Sequence, residues 1–166
     1  PELQAVLSAI DEETERKPGS GTMDGHVRKW FRIKVAIEVM AYGGLRAGEL
    51  ISLNKDDLTD KGINVRSEKK ERDRKPALPA WVIMDVKEYM DFYRIRSDQK
   101  ALFTTDQGRM STSFLRKQVK DAGILGGVPR MHPHALRHFC GTFLLSKNLN
   151  IRKIQVQLGH KDVKTT

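Results

Sequence analysis

Cysteine is nearly absent from this 166-residue chain: Cys140 stands alone. One thiol cannot form an internal disulfide, so a reducing compartment such as the cytoplasm is the natural setting. Long apolar runs are missing too. None approaches the roughly 20 residues a membrane-spanning helix needs, so no span across a membrane is expected. No signal peptide opens the chain, but Pro1 is not a natural start, and the sequence reads as a piece of a longer protein. Internal repeats and low-complexity tracts are absent, which excludes a solenoid or a tail. Acidic residues are in deficit, 21 against 30 Lys and Arg, for a net charge of +9. The pI of about 9.8 asks for a polyanionic partner, nucleic acid first and an acidic membrane surface second.

What is present is enough apolar residue, 39%, for one folded domain over 1–166. Leu3, Val6, Leu7 and Ile10 recur at helical spacing and predict a helix over 2–14. Residues 17–21, Lys-Pro-Gly-Ser-Gly, read as a loop. From Val27 to Tyr42 apolar residues fall on more than one side, as in a central, buried helix. Gly43-Gly44 ends it, and a short helix follows at about 46–53. The period then changes. Ile63, Val65, Ala77 and Leu78 flank the charged run Glu68–Lys75 and predict a β-hairpin or small sheet. Further helices fit 82–95 and 112–122. Gly123, Gly126 and Gly127 precede the last section. The expected fold class is α+β: mostly helical, with one small antiparallel sheet or hairpin.

The most informative stretch runs from Met131 to Leu145. Pro133 suits the first turn of a helix, and Leu136, Phe139, Cys140, Phe143 and Leu144 make its apolar stripe. His134, Arg137, His138 and Gly141 share another face. Three chemistries compete there. His132, His134 and His138 could hold zinc, against which stand Arg137 among them and the lack of a nearby Cys, Asp or Glu. They could be capping or surface residues. Or Arg137 could grip a phosphate as a two-pronged donor, with a histidine as acid or base.

Two other places favour the phosphate. In the sequence from Gly43 to Leu50, Arg46 follows a glycine turn at a helix start, and Glu49 can hydrogen-bond Arg46 or a histidine. Near the other end, Leu158-Gly159-His160 closes a short amphipathic helix built on Ile151, Ile154, Val156 and Leu158, with Gly159 fit to follow a helix end.

Gly44-Leu45-Arg46 with Glu49-Leu50, then His134-x-x-Arg137-His138, then Leu158-Gly159-His160, occur in order along nearly the whole chain. This set resembles the catalytic domain of the tyrosine recombinase family, the phage-integrase type. The resemblance implies a metal-free, cofactor-free DNA strand-breaking and rejoining enzyme that works through a 3′-phosphotyrosine. Its partner would be double-stranded DNA, and the full-length protein would act as a homotetramer on it. Arg46 and Arg137 would hold the scissile phosphate, His134 would move the nucleophile's proton, and His160 would hydrogen-bond the phosphate. The family's lysine, which protonates the leaving 5′ oxygen, falls at Lys70, with Lys69 and Lys75 as neighbouring choices. Lys69, Arg72, Arg74 and His138 are expected to contact DNA, His138 also as a structural support.

The family nucleophile is a tyrosine a short way past the last histidine. Tyr42, Tyr89 and Tyr93 do not occupy that position: Tyr42 reads as core, the others as helix residues. The expectation is a catalytic domain cut just before its nucleophile, and so inactive in cleavage as it stands. A type IB topoisomerase-like domain, or a DNA-binding module of this fold without chemistry, are the alternatives.

Overall fold

The computed structural model describes residues 1–15, 25–66, 73–95 and 99–159. Seven α-helices occur among them: α1 (Glu2–Glu15), α2 (Gly25–Gly43), α3 (Ala47–Ile51), α4 (Ala80–Glu88), α5 (Thr112–Leu125), α6 (Pro133–Ser146) and α7 (Ile151–Leu158). The one two-stranded sheet among the described residues is antiparallel, β1 (Thr104–Thr105) with β2 (Gly108–Arg109), and pairs Thr104 with Arg109.

The apolar residues of α2 explain its place. Trp30, Phe31, Ile33, Ile37, Val39 and Met40 are all buried, and α2 packs chiefly against α6 on one side and α1 on another. A helix that is apolar all round must be covered all round. α1 supplies Leu3, Val6, Leu7 and Ile10, and α5 supplies Leu115, Val119 and Ala122, to the same core. A smaller apolar cluster of Cys140, Leu144, Ile154 and Leu158 joins α6 to α7.

Local chemistry sets the helix starts. The Ser111 hydroxyl accepts the Phe114 N–H at 3.2 Å, and the Asn150 side chain accepts the Lys153 N–H at 2.8 Å. Both satisfy donors that a helix start leaves open. At the end of α7, Gly159 takes a left-handed φ of 72°, as its place in the sequence predicts.

One expectation is met and two are corrected. Antiparallel pairing flanks the charged run as expected, Gly62 with Ala77 and Val65 with Arg74 in one register, with the Val65 and Arg74 backbones bonded both ways at 2.8 and 3.0 Å, while residues 67–72 lie outside the described residues. The two-stranded sheet at 104–109 adds to it; each of its strands has two residues, too short to show an alternating pattern in the sequence. The helix expected over 82–95 changes at Tyr89 into a wider π-type turn over Tyr89–Tyr93, closed by the Arg94 N–H on the Tyr89 carbonyl at 2.8 Å. On α7, Ile154 and Leu158 are buried, but Ile151 and Val156 face outward.

Candidate active site

The turn after α2 brings the first motif into place. Gly44 has φ of 71°, a conformation open mainly to glycine. A Cβ there would also meet Leu158 Cδ2 at 2.4 Å and Cys140 Sγ at 3.1 Å. Gly44 is therefore where α6 and α7 close onto the turn. Gly141 is different: a Cβ on it would meet only Leu158 Cδ1, at an ordinary 3.6 Å. Close approach of backbone does not explain that glycine.

Arg46 immediately precedes α3, and its backbone N–H donates to Glu49 Oε1 at 2.8 Å. The Glu49 carboxylate is buried, its side chain 1% exposed. Arg74 donates to both its oxygens, through Nη1 to Oε2 and through Nη2 to Oε1. Arg137 Nη1 lies 4.0 Å from Oε1. Burial alone would raise the carboxyl pKa, but the hydrogen bonds from Arg74 and the Arg46 N–H, with the charges of both arginines, hold it below its ordinary value. Glu49 is thus an ionised anchor for two buried arginines. It makes the contact with Arg46 that the sequence allowed, through the backbone.

Arg137 is 5% exposed. Its Nη1 donates to the Gly44 carbonyl, and its Nη2 to the Leu158 carbonyl at 2.5 Å. One side chain on α6 therefore ties the Gly44 turn to the end of α7. Burial, then the nearby charges of Arg46 and Arg74, lower its pKa to about 10, so it stays charged at neutral pH. A guanidinium has five N–H donors, so two carbonyls leave it capacity for a bound anion.

Arg46, His134 and Arg137 line one cleft of about 680 Å³. Arg116 and Lys120 of α5 and His132 line it as well, and among the described residues no carboxylate does. His132 caps α6, its Nδ1 accepting the Ala135 N–H at 3.3 Å, which is the capping role the sequence left open. Its ring stacks on that of His134, 6.4 Å between centroids. Among the described residues no group of three or more His, Cys, Asp or Glu is placed to hold a metal ion.

The other candidates are placed as follows. His138 is exposed on α6 and is not among the residues lining the cleft. Arg74, expected to contact DNA, is 8% exposed and is occupied by Glu49, by the Gln157 carbonyl at 3.1 Å and by the Gly44 carbonyl at 3.4 Å. Its physical role here is to bind α7 to α3, which corrects the picture of an exposed cation. Gln157 adds a second clip, its side chain bonding both the N–H and the carbonyl of Ala77. Lys69, Lys70, Arg72 and His160 lie outside the described residues, while Lys75 is exposed. Tyr42, Tyr89 and Tyr93 do not line the cleft. Cys140 is buried, and desolvation pushes its thiol up to about 12, which leaves it an inert apolar filler.

Arg116 and Lys120 were missed in the sequence. They sit one helical turn apart on the solvent face of α5, and an i, i+4 pair of cations was the available signal.

The phage integrase family model matches residues 23–166. A tyrosine recombinase of Thermosipho africanus is 32% identical over 173 residues, which cover 99% of this chain and 53% of that protein. Tyrosine recombinase XerA of Thermococcus kodakarensis is 36% identical over 138 residues, covering 78% of this chain and 48% of its own length. The crystal structure of XerA recombinase superposes with a TM-score of 0.81 at 29% identity, covering 99% of this chain and 56% of that one. A lambda integrase dimer bound to a COC′ core site shares the fold at a TM-score of 0.72 and 15% identity, covering 99% and 57%. This chain spans about half the length of the curated relatives it matches. None of its described helices is long and apolar enough to cross a membrane.

Proposed function

Because the chain belongs to the phage integrase family, we propose that its cleft binds a phosphodiester of duplex DNA and stabilises it during strand cleavage and rejoining. The observation that carries this reading is the meeting of Arg46, His134 and Arg137, from two distant motifs, in one cleft lined, among the described residues, by cations and imidazoles and by no carboxylate.

The chemistry follows from that lining. When a tyrosine oxygen attacks phosphorus, the P–O5′ bond breaks and negative charge builds on the non-bridging oxygens. Two guanidinium groups suit that charge and its geometry. Arg137 is held in place by two carbonyls and by Glu49 behind it, so little reorganisation is needed as the charge develops. His134, exposed at the mouth, takes the nucleophile's proton. Lys70 gives a proton to the leaving 5′ oxygen, and His160 bonds the phosphate; these two assignments rest on the family motif. The 3′-phosphotyrosine keeps the bond energy for religation. Tyr42, Tyr89 and Tyr93 are not among the residues lining the cleft, and none of them is assigned as the nucleophile. Arg116 and Lys120, which line the same cleft, are assigned to the DNA backbone beside the scissile phosphate. The full-length protein is assigned to the cytoplasm, as a homotetramer on DNA.

Binding of a short duplex by this chain tests the reading. Affinity is expected to fall steeply as salt rises, since each neutralised phosphate releases condensed counterions. Replacing Arg116 and Lys120 together by alanine is expected to reduce the slope of log affinity against log salt by about 2. Salt-independent binding, or an unchanged slope in the double variant, would count against a DNA-binding cleft.

A further inference from the structure

Among the described residues, three α-helix starts are capped by a side chain. Ser111 caps α5 and Asn150 caps α7, both residue types that cap well. The third, α6, is capped by an imidazole: His132 Nδ1 accepts the Ala135 N–H at 3.3 Å. Histidine is not among the favoured caps, so capping alone does not account for this side chain.

The cap fixes the chemistry of the ring. A ring nitrogen that accepts an N–H carries no proton of its own, so the ring proton sits on Nε2. Nδ1 is turned to the first turn of α6, and Nε2, on the far side of the ring, is turned away from it. The side chain is exposed and lines the cleft with Arg46, His134 and Arg137. Its backbone is fixed as well. His132 precedes Pro133 and is extended, with φ of −153° and ψ of 163°, as a proline demands of the residue before it. A restricted backbone at one end and a hydrogen bond at the other hold the ring in place before a ligand arrives. Little side-chain freedom is then lost on binding.

The ring of His132 lies parallel to that of His134, 7° between planes and 6.4 Å between centres. Two imidazoles side by side in one cleft thus have different tasks. His134 is the one assigned to the nucleophile's proton. His132 cannot take a proton on Nδ1 without losing the cap, and its far edge offers one N–H donor. The non-bridging oxygens of a DNA diester only accept hydrogen bonds, so they match that donor. We propose that His132 is a substrate-positioning residue whose Nε2–H donates to a non-bridging oxygen of the DNA strand held by Arg46, His134 and Arg137. This role rests on the reading of the cleft as a DNA site.

His132→Ser separates the ring from the cap, because a serine hydroxyl caps a helix at least as well but places no donor at the far edge of the ring. The variant is expected to keep or raise the thermal midpoint of this chain. It should bind a short duplex about tenfold more weakly, which is the scale of one hydrogen bond to a charged acceptor. The slope of log affinity against log salt should stay as in the parent, since a neutral donor displaces no counterion. Nitrogen-15 spectra of the histidines in the free chain should show the His132 proton on Nε2. If the parent binds duplex with the expected salt dependence and His132→Ser binds as tightly, this role is overturned while the cleft remains a DNA site. No salt-dependent binding by the parent would overturn both. A slope lowered by about 1 in His132→Ser would mark a cationic contact in place of the neutral donor, and a proton found on Nδ1 would remove the fixed donor; either result refutes the proposal. A midpoint that falls together with the affinity would return His132 to capping alone.

Discussion

Replacing Arg46 by alanine is expected to lower DNA strand cleavage by about 10²–10³-fold, in a chain that carries these residues together with the nucleophile. The fold should survive. Arg46 is only half-buried, and its link to Glu49 runs through the backbone N–H, which alanine keeps. The loss should therefore appear in the chemical step, with a thermal midpoint close to that of the parent. Arg137→Ala is expected to reduce cleavage by at least as much but to destabilise the protein as well, because it strips two carbonyls of their donor. Arg137→Lys separates the two effects, since it retains the charge but not the two-pronged geometry. Covalent adduct on a denaturing gel measures cleavage, and thermal unfolding measures the fold. Adduct formation by Arg46→Ala at the parental rate would remove the arginine from the chemistry.

Glu49→Ala is expected to destabilise the chain by roughly 3–5 kcal/mol, because it leaves the buried Arg74 and Arg137 without their counter-charge. In a domain of this size that corresponds to a fall of about 10 °C in the unfolding midpoint. The pH dependence gives an independent reading. The folded-state pKa of Glu49 is depressed, so its ion pair contributes stability above the ordinary carboxylate pKa, and this is lost as pH falls through the folded value. Glu49→Gln should remove that part of the acid sensitivity, so the gap between parent and variant narrows as the solution is acidified. A gap that stays constant from neutral to acid pH would mean that Glu49 acts by shape and not by charge. DNA affinity should also fall in Glu49→Ala, since Arg137 loses the support that aims it.

Much of this was legible in the sequence, for identifiable reasons. The helices of the core announced themselves through 3.6-residue periodicity, and α2 through having apolar residues on every side. The glycine at position 44 and the sequence His134-x-x-Arg137 could be read because turns and helix faces are local. The partner of Glu49 could not. Arg74 lies 25 residues away in a run of charges, where nothing in the spacing separates a buried arginine from the other charged residues. An exposed role was the natural reading for it, and only tertiary packing places it under α7. Arg116 and Lys120 escaped for the opposite reason: two cations on a solvent face resemble any soluble helix until the Met131–His134 segment folds across from them. The pairing of residues 62–65 with 74–77 could be read from Ile63, Val65, Ala77 and Leu78, whereas β1 and β2, of two residues each, are too short to carry a period.

The central claim is that duplex DNA enters the cleft between α5 and the start of α6. Nuclear magnetic resonance mapping of the labelled chain with a short duplex tests it most directly. Resonances of Arg46, Arg116, Lys120, His134 and Arg137 are expected to shift together, to saturate, and to return as salt is raised. Shifts confined to α1 and α4, with those five unmoved, would contradict it.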